Sequence, residues 1–152
     1  MGISIQRLTT NCKDKPEYKA LFDEYAKECG VSAFGDWKAD WKVYETLEGM
    51  GGVQAFCAYD GSKPIGLIVG IESEQFHFSL YTLTVDAIFV LKEYRNTSVS
   101  SRLIARIMRE AKAKRINQVL FSCPPNGDLD KALSHQKNFQ LISKLYRRKL
   151  WE

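Results

Sequence analysis

The run Thr82-Leu-Thr-Val-Asp-Ala-Ile-Phe-Val90 and the helix that follows it constrain this chain more than any other stretch. The run is β-branched and apolar, with Asp86 as its one charge, and reads as a buried strand. A charged turn, Leu91-Lys-Glu-Tyr-Arg95, and a small polar run, Asn96-Thr-Ser-Val-Ser-Ser101, come next. Val99, Leu103, Ile104, Ile107, Met108 and Ala111 then recur at the spacing of one helical face, with Arg102, Arg106, Arg109, Glu110 and Lys112 on the others. A strand that enters a helix through small residues leaves amide N–H groups unpaired at the positive end of the helix dipole. That geometry suits a phosphate, and Arg95 stands where a charge-assisted contact is expected. An ordinary strand-to-helix junction capped by Thr97 or Ser98 accounts for the same residues.

Around this unit the chain reads as one domain over residues 1–152. Ile3 to Leu8 alternates as a first strand. Pro16 to Cys29 carries the stripe Tyr18, Leu21, Phe22, Tyr25 and Ala26 of a helix, with Gly30 as its terminator. Asp36 is the expected cap of a second helix bearing Trp37, Trp41, Val43, Tyr44 and Leu47, which ends at Gly49-Met-Gly-Gly52. Val53 to Tyr59 and Pro64 to Ile71 are β-rich and flank the turn Asp60-Gly-Ser-Lys63, and Glu72 to Gln75 reads as a polar connection. Gln118 to Ser122 is a fifth strand. Asp128 caps a short helix to about Lys137, Asn138 ends it in the left-handed conformation, and Phe139 to Leu150 alternates as one or two closing strands. Strand, two helices, three strands, helix, strand implies a mixed α/β sheet of about six or seven strands with four helices packed on it.

The net charge of +4 favours an anionic ligand without indicating nucleic acid. Cys12, Cys29, Cys57 and Cys123 show no paired spacing, and neither His77 nor His135 stands at a metal-site distance from them, so no metal is expected. With no signal-peptide core and no membrane-length apolar run, a cytoplasmic protein without membrane partners is expected, and the sequon at Asn96 is discounted.

Val90-Leu-Lys-Glu-Tyr-Arg-Asn-Thr-Ser-Val-Ser100 resembles the acyl-CoA pyrophosphate loop of the GNAT N-acetyltransferase superfamily, Gln/Arg-x-x-Gly-x-Gly/Ala. Arg95 matches its first position, and Ser98 and Ser100 stand where glycine or another small residue is usual. A backbone with positive φ at Ser98 would carry about 1–2 kcal/mol of strain. The likeness extends to about Phe139, where Asn138-Phe139 resembles the family's Gly-Phe.

The resemblance implies the GNAT acyltransferase fold and transfer of an acetyl group from acetyl-CoA to the primary amine of a small molecule or protein. Ile88, Phe89 and Val90 would hold the pantetheine arm, and the Arg95–Ser101 loop (Asn96, Thr97, Ser98, Val99, Ser100) the pyrophosphate, with Asn126 completing the cofactor set. Asp86 is the candidate base, against a salt-bridged or solvent-facing role, and Thr84 on the same side is a candidate to hold a water. Family members place an acidic tyrosine in the fourth helix, and that position here is Ser134. His135 is adjacent but on a different helical face, Tyr146 would reach in from the last strand, and a Cys123 relay competes with a structural thiol. Phe34, Trp37, Trp41 and Tyr44 are expected on the acceptor wall, for an aromatic or aliphatic amine, or in the core. The expected partners are a CoA thioester and an amine acceptor, for a monomer or homodimer. A catalytically weak acyl-CoA-binding or interaction module on the same fold is the competing reading. A nucleic-acid-binding domain using the α-helical arginines lacks the aromatic platforms or helix-turn-helix it needs.

Overall fold

The computed structural model describes residues 2–29 and 37–151, without the side chain of Cys29. The chain divides into two compact units, Met1–Phe121 and Ser122–Glu152. The first is built on five strands in spatial order, β1 (Ile3–Arg7), β2 (Val53–Asp60), β3 (Lys63–Gln75), β4 (Leu80–Val90) and β5 (Gln118–Phe121). The β1–β2, β2–β3 and β3–β4 pairs are antiparallel, and β4–β5 is parallel. Helices α1 (Lys19–Cys29), α2 (Trp41–Gly49) and α3 (Val99–Ala113) belong to this unit, and α4 (Asp128–Ser134) to the second.

Helix α3 packs as its periodicity requires: Val99, Leu103, Ile107 and Ala111 are buried, while Met108 is exposed. Each large side chain among them contributes about 1.5–3 kcal/mol by leaving water. The helix comes close because β3 offers glycine beneath it. A Cβ on Gly70 would lie 2.8 Å from Leu83 Cδ1 and 3.0 Å from Ile107 Cδ1. Leu67 and Val69 alternate with Gly66 and Gly70, so they face the other side of the sheet, where they meet Phe22 and Tyr25 of α1. The β2–β3 hairpin turns at Gly61, whose φ of 62° is the left-handed conformation that the tight turn needs.

Several boundaries differ from expectation. Among the described residues the sheet has five strands, not six or seven, because residues 139–151 form none and Leu141, Leu145 and Tyr146 are 81%, 89% and 89% exposed. Their alternation has charge on both faces, Lys144 and Arg148 on one and Arg147 and Lys149 on the other, so neither face can be buried whole. Glu72 to Gln75 is strand rather than connection, paired with Leu80 to Leu83. Helix α2 starts at Trp41, not at Trp37, because the Asp40 carboxylate accepts from Val43 N at 3.2 Å. The expected Asp36 cap and Gly30 terminator lie outside the described residues. Helix α4 stops at Ser134, is capped at Gly127 rather than Asp128, and Asn126 rather than Asn138 takes positive φ.

Glu72 explains why its segment stays in the sheet. Its side chain is only 3% exposed, yet its carboxylate accepts from Tyr81, Gln54 and Lys114. Burial works to raise its pKa, but the three donors outweigh it and hold the carboxyl below the usual glutamate range. Stability from Glu72 is therefore present above its unfolded pKa of about 4.3 and is lost as pH falls through the lower folded value. Thermal unfolding followed by circular dichroism should show the melting temperature falling below about pH 4.3. Glu72→Gln should be less stable than wild type at pH 7 and show a shallower acid slope.

Candidate functional site

Strand β4 is held differently on its two edges. Against β3 it pairs from Leu80 to Val90, whereas against β5 pairing runs only from Thr82↔Gln118 to Val85↔Phe121. Leu91 N donates to Ile65 O at 2.9 Å, and the alternation of an antiparallel ladder then turns the main-chain groups of Ile88 and Val90 outward, toward the edge that β5 has left. At the same level the β3–β4 register slips: Val69 faces Ala87 and Gly70 faces Val85, so Asp86 is an extra residue. Such a bulge turns two successive side chains to one face. Asp86 and Ala87 both meet the α1–α2 side, Asp86 through Tyr44 and Ala87 in the cavity that Tyr44 also lines.

The exposed Asp86 carboxylate accepts a hydrogen bond from the Tyr44 hydroxyl. Burial and the adjacent Asp86 carboxylate push the Tyr44 pKa far up, so the phenol remains a donor. Thr84 lies on the same face of β4, two residues before Asp86. Behind the pair is a cavity of about 80 Å³ between α1, α2 and the sheet, walled by Phe22, Tyr25, Trp37 and Trp41 over Val69 and Ala87. Trp37 and Trp41, expected on an acceptor wall or in the core, line this cavity, and Phe34 lies outside the described residues.

At the far end of β4 the loop opens α3 from solvent. Asn96, Thr97, Ser98 and Ser101 are exposed, whereas the Val99 side chain is buried, which leaves Val99 only its main chain to offer a ligand. The first main-chain bond of α3 runs from Arg102 N to Ser98 O at 2.9 Å, so the amides of Val99, Ser100 and Ser101 precede it. Ser98 occupies the cap position without a side-chain cap bond, and Val99 N meets Thr97 Oγ1 only at 3.4 Å. Ser98 has φ −79°, so the left-handed strain considered for it is absent and a serine fits without cost.

Arg95 is placed unlike a free phosphate ligand. Its Nε donates to Val90 O at 2.7 Å, its terminal nitrogen pairs with Glu28 of α1 at 2.6 Å, and its guanidinium lies over Phe89, which packs on Tyr25. Tyr94 donates to Asp60 at 2.7 Å and ties the same loop to the hairpin. The sequence offered no signal for the Tyr44–Asp86 or Glu28–Arg95 contacts, because partners of opposite type tens of residues apart have no periodicity.

In the second unit, Asn126 is exposed with its amide on Asp130 at 2.8 Å. Ser134 is exposed and donates to Lys131 O at 3.1 Å. Burial and the nearby Asp130 push the Cys123 thiol up, away from the thiolate that a covalent relay needs. Among the described residues no cluster of His, Cys, Asp and Glu is placed to hold a metal, and no helix is long and apolar enough to cross a membrane. Because Ser98 is unstrained, Ser98→Gly should destabilise by about 0.4–1 kcal/mol through the freer unfolded chain. Urea denaturation measures this, and a stabilised variant would contradict the observed backbone.

The model of the acetyltransferase (GNAT) family matches residues 16–130. No curated protein matches the sequence. Among solved structures, the ribosomal-protein-alanine N-acetyltransferase of Brucella melitensis biovar Abortus 2308 is 17% identical at TM-score 0.72, over 99% of this chain and 100% of that one. An aminoglycoside acetyltransferase from an uncultured soil metagenomic sample, in complex with sisomicin, is 18% identical at TM-score 0.75, over 98% and 97%. AAC(6')-Iy in complex with a CoA-S-monomethyl-acetylneamine bisubstrate analog is 15% identical at TM-score 0.68, over 99% and 100%.

Proposed function

The chain belongs to the GNAT acetyltransferase family, and on that premise we propose that residues 1–152 act as one domain that transfers an acetyl group from acetyl-CoA to a primary amine. The observation that carries this is the edge of β4 released by β5 beyond Val85, with the main-chain groups of Ile88 and the N–H of Val90 turned into it, Val90 O being held by Arg95. A pantetheine arm carries amide groups that pair with such an edge as a strand would. The uncapped start of α3 fits the other end of the molecule, since amides ahead of the first helical bond suit a pyrophosphate.

In this reading the amides of Asn96, Thr97, Ser98, Val99, Ser100 and Ser101 hold the phosphates. Arg95 serves them at one remove, fixing the loop against Val90 O and Glu28. Phe89 packs beneath it, and Asn126 stays assigned to the cofactor by resemblance alone. Bound, the thioester supplies the acyl group and a thiolate leaving group. An amine of ordinary pKa, about 10.4 for a lysine-like group, arrives protonated and must lose a proton before it can attack. Asp86 accepts that proton on the oxygen Tyr44 leaves free, through a water held at Thr84. Ser134 offers only a hydroxyl already donated to Lys131 O, and this favours a second reading, an acyl-CoA-binding module with little turnover.

Acetyl-CoA should raise the melting temperature of the wild type and of Asp86→Asn alike. Thiol release with a panel of amines should fall about 100-fold or more in Asp86→Asn. No melting shift at millimolar acetyl-CoA would remove the cofactor assignment. A shift with no thiol release on any amine would select the binding module.

A further inference from the structure

Among the described residues, the polar groups of the cavity behind Asp86 are largely engaged within the fold. Its carboxylate, Glu48, is used up within the fold: one oxygen accepts Thr10 N at 2.9 Å and the other Thr10 Oγ1 at 2.9 Å. Tyr44 is committed to Asp86. Thr9, Thr10 and Cys12 are the other polar side chains of the lining, and Phe22, Tyr25, Trp37 and Trp41 over aliphatic strand residues make up most of the rest. A row of hydroxyls pushed against those rings would lose water without gaining partners, and a further ammonium would gain only a cation–π attraction against the loss of its hydration. The space of about 80 Å³ is small and bounded largely by apolar side chains. It takes a short branched alkyl chain or the leading edge of one ring.

We infer that the acceptor carries a single ammonium on a compact apolar body, its nitrogen at Asp86 and its body in the cavity between α1, α2 and Val69. Polycationic and polyhydroxylated amines are disfavoured, because beyond Asp86, which lies past Tyr44 and outside the lining, the carboxylate that lines the cavity among the described residues is Glu48, and Thr10 already donates to both of its oxygens. Val69 and Trp41 become the specificity-determining residues, one as the floor and the other as a wall. The inference rests on the acyl-transfer reading for its chemistry but not for its geometry.

Saturation-transfer NMR on the full chain without acyl donor, using isoamylamine, phenethylamine, spermidine and kanamycin as probes, tests the geometry alone. The methyl protons of isoamylamine should receive saturation from the protein, and its affinity should exceed that of spermidine and kanamycin by about tenfold or more, the scale of one or two methylenes in a pocket. Val69→Phe should weaken isoamylamine about tenfold by filling the floor. Trp41→Ala, which removes volume, should shift preference from isoamylamine to phenethylamine and stands in should Val69→Phe not fold. Equal or tighter binding of kanamycin or spermidine overturns the inference, as does unchanged isoamylamine binding in the folded variants. Thiol release from acetyl-CoA separates the two ideas. Monoamine binding in the expected order with no thiol release by any amine defeats acyl transfer alone. Release with kanamycin and spermidine but not with monoamines defeats this inference alone.

Discussion

Two strands share hydrogen bonds only where they stay side by side, and β4 and β5 do so from Thr82 to Val85 and no further. Strand β3 meanwhile holds β4 along its whole length. This asymmetry sets up everything near the site. The released edge presents main chain, the bulge places a carboxylate beside it, and the loop that ends β4 delivers an uncapped helix start to the same strand. Closing β5 against β4 up to Val90 would satisfy the edge and leave nothing for a ligand to pair with.

Two carboxylates of the sheet, Glu72 and Asp86, differ in their supply of donors. Glu72 has three donors and almost no exposure, so its charge is spent on holding β3, β4 and the end of α3 together. Nearby, Arg7 and Arg106 clasp Glu110 and lie over Phe56, which extends the tie to β1 and β2. Asp86 is exposed and, among the described residues, has one side-chain donor. A carboxylate held by several donors away from water is a staple, and one with an oxygen free at the surface is available for exchange.

Most of this was legible where it depended on period. The α3 stripe, the hairpin at Gly61 and the strand Thr82–Val90 all follow from spacing and turn chemistry that act over a few residues. The family resemblance in the Arg95–Ser101 loop pointed to the same region. What escaped depends on contacts between distant residues. Asp86 reads as a charge without a partner because Tyr44 lies on another element, and Arg95 reads as a free cation because Glu28 does. The strain suspected at Ser98 came from a family pattern rich in glycine, whereas this backbone reaches the helix at φ −79° and needs none. The last residues misled through partial alternation, since a period of two predicts a strand only when one of its faces can be buried.

The slip in register between Val69 and Gly70 has an evolutionary side. Val85 faces α3 and Ala87 faces α1 and α2, as two neighbours in a regular ladder would, so Asp86 is surplus to the packing of β4. A one-codon loss at that point would close the ladder and leave every core contact on either side in place. Most strand residues cannot be deleted without sending the rest of the strand to the wrong face. Here the carboxylate can be removed by deletion without turning the rest of the strand over, so it is separable from the scaffold that carries it.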